Sequence, residues 1–227
     1  MKWLDDFFSL LYPKLCLTCD NQLVKGEEFL CHTCLDDLPY TGYLGMKENP
    51  VRAIFKARVP LEYGAALLHF EKGNKTQKIL HELKYRNRPE IGNYMGRIIG
   101  REIALPLNPK RTAIIPVPIH PSKMRLRGYN QSYHLAEGIS EITGIRVARD
   151  ILIRAKKTST QTRKKRYERW ENVSAVFRVN KELLNAIEQV MLVDDVVTTG
   201  ATIESCALSL LEAKKIEIGL ITLARSD

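Results

Sequence analysis

Near the C-terminal end of the chain two adjacent carboxylates, Asp194 and Asp195, follow the apolar run Val190-Met-Leu-Val193 and precede Val-Val-Thr-Thr-Gly-Ala-Thr202. The apolar run reads as a buried strand, and Ile203–Ala213 beyond the loop reads as a helix. The start of a helix offers unpaired backbone N–H groups and a partial positive charge, so it attracts phosphate. Gly200 lets the backbone approach such an anion, and the hydroxyls of Thr198, Thr199 and Thr202 add donors. Two ionised carboxylates repel a phosphate and must instead face hydroxyl donors or a cation. A ligand with a diol at one end and a phosphate a few ångströms away answers both halves, which describes a 5-phosphoribosyl group. The plainer alternative is a threonine-capped helix preceded by ordinary loop carboxylates. A Walker-type nucleotide loop needs a lysine before its hydroxyl residue, where this chain has Ala201.

A second segment, Ile114 to Gln131, ends the apolar run Ala113–Val117 and delivers Lys123, Arg125 and Arg127 to a loop before another helix. Ligands of parallel α/β sheets bind outside the carboxyl ends of the strands, so this loop is expected near the first. Its cations suit a departing pyrophosphate; a solvated basic turn is the alternative. The Asp-Asp and Thr-Thr-Gly-Ala-Thr spacing resembles the type I phosphoribosyltransferase signature, two acids followed by a Thr-Thr-Gly-X-Thr loop. That resemblance implies binding of phosphoribosyl pyrophosphate (PRPP) by Asp194, Asp195, Thr198, Thr199, Gly200, Ala201 and Thr202. Magnesium accompanies the ligand, and the candidate catalytic residues are Asp194 and Asp195 at the ribose with Arg125 or Arg127 at the pyrophosphate.

Cys16, Cys19, Cys31 and Cys34 form two pairs, each two residues apart, and thiolate pairs at this spacing wrap one tetrahedral zinc ion. Four sulfurs close the coordination shell, so the expected zinc is structural; His32 is a second-choice ligand. Between Lys156 and Arg169 seven cations face the single acid Glu168, with Tyr167 and Trp170 interleaved. Arg163, Lys164, Lys165 and Arg169 could grip phosphates while Tyr167 and Trp170 stack on bases, a combination suited to single-stranded nucleic acid. A solvated basic face is the alternative. No Ser/His/Asp arrangement is recognisable.

The segment Pro116-Val-Pro through Arg127-Gly-Tyr-Asn-Gln131 is similar to the ComF family of competence and GntX-like proteins, as are Leu83-Lys-Tyr-Arg86 and the run from Gln161 through Arg169 and Asn172 to Phe177. The family pattern also includes an N-terminal four-cysteine module and a C-terminal PRPP loop, so the likeness covers nearly the whole chain. It implies a PRPP-binding protein that handles single-stranded DNA in natural transformation, with competence-machinery proteins as partners. The alternative is an active phosphoribosyltransferase of nucleobase or nucleotide metabolism unrelated to DNA uptake.

The elements that must position these residues follow from periodicity. Strands are expected near Leu61–Phe70, Ala113–Val117, Ile151–Arg154, Val190–Val193 and Glu217–Leu223. Helices are expected from Thr76 through Leu83, through Met95 to Ile103, around Leu135–Ile139 and over Ile203–Ala213. Such alternation means a parallel sheet flanked by helices, the type I phosphoribosyltransferase fold, over residues 60–227. Residues 1–40 read as an amphipathic helix (Trp3, Leu4, Phe7, Phe8, Leu11) followed by a zinc-ribbon module, and Pro39–Pro60 reads as a connector. Lys84 and Arg86 fall at the end of an expected helix, either as partners of its dipole or as part of a hood over the site. The net charge of +9 favours anionic partners. Without a long apolar run or a signal-peptide core the protein is expected in the cytoplasm, where thiols stay reduced.

Overall fold

The structure is a computed structural model, and it describes residues 13–103, 107–154 and 176–226. The helix expected at the N-terminus before Pro13 lies outside those residues, as does the basic run with Arg163, Lys164, Lys165, Tyr167, Arg169 and Trp170. The first half of the chain forms α1 (His32–Asp36), α2 (Pro50–Ala53), β1 (Tyr63–Phe70), α3 (Lys75–Tyr85), α4 (Pro89–Glu102) and β2 (Thr112–Pro116). The second half forms α5 (Pro121–Arg127), α6 (Gln131–Thr143), β3 (Leu152–Arg154), β4 (Phe177–Val179), α7 (Lys181–Leu184), β5 (Gln189–Val197), α8 (Ala201–Ala213) and β6 (Glu217–Ser226).

Four strands pair side by side in the order β1-β6-β5-β2, all parallel. The register places Pro116 beside Val193 and Asp194 beside Thr222. The near-unbroken apolar strands are explained by burial on both faces. Ile114, Met191, Val193, Ile221 and Leu223 join one hydrophobic cluster with Ile79, Met95, Ile99 and Leu135 from α3, α4 and α6. Their strand neighbours Ala113, Ile115, Val190, Leu192 and Leu220 join the other with Phe55 and with Ile203, Cys206 and Leu210 of α8. The architecture is the expected parallel sheet flanked by helices.

Three expectations are corrected. Leu152–Arg154 is a strand, but it pairs antiparallel with β4 and stands outside the four-stranded sheet. Only its one side is buried, through Leu152, while Ile153 is exposed, so it cannot fill a position covered on both faces. Instead Val147 bridges to Ile114 at the β2 edge. The stretch Pro39–Pro60 is not a free connector. Its Thr41 N–H donates to Leu67 O (2.9 Å), the His69 N–H donates to Pro39 O (2.8 Å), and Val51, Phe55 and Val59 are buried. Finally, Lys123, Arg125 and Arg127 lie on the helix α5 rather than a loop. Pro121 opens that helix and Gly128, at φ 80°, closes it.

The cysteine module shares the first core: Cys16, Leu30, Cys34 and Leu38 pack in the same cluster as Leu80 and Leu83. Lys78 Nζ donates to Thr18 O (2.7 Å), and Phe29 meets Tyr94 edge to face.

Candidate functional site

The carboxyl ends of the parallel strands open into a cleft of about 520 Å³. Phe70 of β1, Val117 after β2, Asp194, Asp195 and Val196 of β5, and Ser226 of β6 form its floor, and Thr198 and Thr202 one rim. The face of α3 carrying Gln77, Leu80, His81 and Lys84, at helical spacing, forms a wall. Lys123 and Arg127, four residues apart on α5, both reach this cleft, whereas Arg125 between them is exposed and lines no part of it. The helical turn is the reason: it sorts i and i+4 onto one face and i+2 onto another.

Asp194 is held rigidly. Ser132 Oγ, at the start of α6, donates to its Oδ1 (2.8 Å), and the Asp195 backbone N–H donates to the same oxygen (2.9 Å). Burial, followed by the neighbouring Asp195 charge, pushes the Asp194 carboxyl up to about 7, against the pull of Ser132, the Asp195 N–H and Lys84. Lys84 Nζ lies 3.1 Å from Asp195 Oδ2, while Arg86 turns back to Glu82 (3.8 Å). The two cations at the end of α3 thus have separate roles.

The loop ends in Gly200, φ 74°, which caps α8 without any side-chain hydrogen bond to the helix N–H groups. A Cβ here would sit 2.6 Å from the Phe55 ring, so only glycine fits. Thr199 and Ala201 flank it, and Arg58 NH1 donates to Thr199 O (2.5 Å) while pairing with Glu204. Sequence reasoning missed Ser132, Phe55, Arg58 and Arg154, because each comes from a distant segment and carries no motif. The Asn130-Gln-Ser132 helix start was the one local signal available for Ser132, since Asn130 Oδ1 accepts from Ser132 N–H (3.1 Å) as a cap.

On the side of the molecule formed by residues 16–34, the sulfurs of Cys16, Cys19, Cys31 and Cys34 lie within 4.8 Å of one another. Tetrahedral zinc–sulfur bonds require sulfurs roughly 3.8 Å apart, and Cys19 and Cys31 are 3.8 Å apart. Burial opposes the Cys16 thiolate, yet hydrogen bonds from Thr18 Oγ1 and from the N–H groups of Cys31, Thr18 and Cys19 outweigh it and lower the thiol to about 6. For Cys19 the Asn21 N–H favours the thiolate, but burial and the surrounding Cys34, Cys16 and Cys31 sulfurs prevail and raise it to about 12. Four such thiols ionise together only around a cation. The cysteines are positioned to hold a metal ion, and His32, largely exposed beside Glu27, is not in the cluster.

Fold and site together define an α/β protein with an acid-and-hydroxyl loop at the carboxyl ends of its parallel strands and a four-cysteine cluster beside its first helices. The chain aligns with competence protein F of Haemophilus influenzae at 26% identity over 93% of its length and 96% of that protein. With competence protein ComFC of Bacillus subtilis the identity is 25% over 95% of this chain and 97% of the other. DNA utilization protein YhgH of Escherichia coli O6:H1 is 32% identical over 140 residues; the alignment spans 59% of this chain and 60% of YhgH. No family model matches. Among solved structures, the glutamine PRPP amidotransferase of B. subtilis matches 63% of this chain and 30% of its own, at 20% identity and a TM-score of 0.45. The chain is a homologue, nearly end to end, of the competence proteins F and ComFC, as the ComF-like segments led one to expect. No helix among the described residues is long and apolar enough to cross a membrane.

Proposed function

We propose that this protein is a PRPP-binding, phosphoribosyltransferase-like protein of the ComF type, acting in the cytoplasm in the handling of single-stranded DNA during natural transformation. The observation that carries the ligand assignment is the meeting, in one cleft, of the Asp194–Asp195 pair with the Thr198–Thr202 loop. Asp194 and Asp195 would accept hydrogen bonds from the ribose hydroxyls. Thr198, Thr199, Thr202 and the N–H groups from Gly200 and Ala201 onward would donate to the 5-phosphate. Lys123 and Arg127 would receive the pyrophosphate, and Arg125, turned away, has no part in that reading. Magnesium bound with PRPP supplies further positive charge to the pyrophosphate. If the ligand turns over, the C1–oxygen bond breaks with its electron pair leaving on pyrophosphate, and positive charge develops on the sugar.

The competence names of the two relatives matched nearly end to end, and the name DNA utilization protein of the partly matched YhgH, support the DNA role. For the cysteine cluster, zinc is the ion that best suits four thiolates, and it would hold residues 16–34 in place rather than enter the chemistry.

The test is a thermal shift. PRPP with magnesium is expected to raise the melting temperature, since it binds the folded state alone. Replacing Asp194 and Asp195 together by Asn should abolish the rise, and an equal rise in the double variant would refute the site. Pyrophosphate release measured with candidate acceptors, single-stranded DNA among them, separates a turning-over transferase from a PRPP-binding protein.

A further inference from the structure

Lys84 belongs neither to the acid-and-hydroxyl loop nor to α5, yet it is built into the same cleft. It sits in the last turn of α3, where the helix dipole favours a cation, and its side chain is 20% exposed. Its partner Asp195 is 14% exposed, and Nζ and Oδ2 are 3.1 Å apart. An ion pair inside a ligand cleft has a consequence that a surface pair lacks. A ligand whose hydroxyls use Asp195 must take that carboxylate from Lys84, and an anion that takes Lys84 leaves Asp195 bare.

The cleft lining holds two carboxylates, Asp194 and Asp195, against four cations, Lys84, Lys123, Arg127 and Arg154. Arg127 is fixed by Gln131 Oε1 (2.9 Å) and stacks over the Tyr85 ring. Its buried Nε and the buried Gln131 Nε2 meet no acceptor among the described residues. Among the described residues, the cationic side of the cleft is therefore a surplus of donors beside a single ion pair.

We propose that Lys84 is a pyrophosphate-binding residue of this site, transferred from Asp195 to the phosphate oxygens when ribose hydroxyls occupy Asp195. The inference rests on the PRPP reading of the cleft. The exchange replaces one charge-assisted contact by two and leaves neither partner bare, so the two halves of the ligand bind cooperatively. By reciprocity each half tightens the other by the same factor.

The experiment is calorimetric titration of wild type, Lys84→Met and Lys84→Arg with magnesium pyrophosphate, ribose 5-phosphate and PRPP. Lys84→Met should weaken pyrophosphate and PRPP by about tenfold to a hundredfold, the worth of a charged hydrogen bond. Ribose 5-phosphate should bind that variant as well as wild type or better, because no lysine competes for Asp195. Saturating ribose 5-phosphate should tighten pyrophosphate binding to wild type and not to Lys84→Met, and Lys84→Arg should restore most of the affinity. Undiminished pyrophosphate binding in Lys84→Met overturns the inference. Parallel loss of ribose 5-phosphate overturns it too, since it assigns Lys84 a merely structural part. Wild-type protein that binds none of the three ligands removes the PRPP reading itself, and the role of Lys84 with it.

Discussion

Asp194 combines a fixed geometry with an unusual proton affinity. Its carboxyl is raised from the usual 3.8 to about 7 by burial first and by Asp195 second. Because the folded state holds this proton more tightly than the unfolded chain, the stability that the group contributes is full below the unfolded value and is lost as the pH rises through the folded one. Accepting hydrogen bonds from ribose requires the opposite form, the carboxylate. Affinity for PRPP with magnesium should therefore rise between about pH 6 and pH 8, by up to ~10-fold per unit below the midpoint. Titrations at constant ionic strength check it: wild type should show the slope, and Asp194→Asn should bind weakly at every pH. Gly200 gives a second test at this scale. Its φ is 74° and a Cβ would meet the Phe55 ring at 2.6 Å. Gly200→Ala should cost about 1–3 kcal/mol in denaturant unfolding. Adding Phe55→Leu should recover the steric part of that loss and leave the backbone part.

Helices set how accurately these residues meet. Helices α4 and α6 cross with backbone almost touching: a Cβ on Gly138 would lie 2.0 Å from Asn93 O, and one on Gly96 2.2 Å from Leu135 O. That close crossing seats α6, whose first turn carries Ser132 to Asp194. Gly138→Ala should push the helices apart, destabilise the fold by about 1–3 kcal/mol, and weaken PRPP binding beyond what global stability explains. A melting curve and a ligand titration on the same variant separate the two effects. The cysteine module acts on the neighbouring element. Since Cys34 and Leu30 share a core with Leu80 and Leu83 of α3, removing the metal should disturb more than residues 16–34. Elemental analysis is expected to find one zinc per chain. Hydrogen exchange after chelation should quicken in the module and on the facing sides of α3 and α4; exchange unchanged in those helices would make the module an independent unit.

For the molecule as a whole, the charge of +9 and the basic run before Trp170 bear on DNA. If that run grips single-stranded DNA, affinity falls with salt, and neutralising Arg163, Lys164 and Lys165 makes the log–log slope shallower. Tyr167→Ala or Trp170→Ala should cost about 1–3 kcal/mol per stacked base with little change of slope. Unchanged affinity and slope in the triple variant would leave a solvated surface. By itself the sequence determined the strand–loop–helix unit around Asp194 and Gly200, the sheet class and the paired cysteines, because each is written in neighbouring residues as periodicity or as spacing. It could not decide that Leu152–Arg154 leaves the sheet, that residues 39–60 brace the Thr198–Thr202 loop through Phe55 and Arg58, or that Arg127 enters the cleft while Arg125 does not. Those outcomes depend on which faces are already covered and on contacts such as Arg58 with Thr199, 141 residues apart in the chain. Lys84 was the clearest case: local sequence offered it a helix dipole or a place over the site, and only the packing of α3 on β1 and α4 brought its ammonium to Asp195.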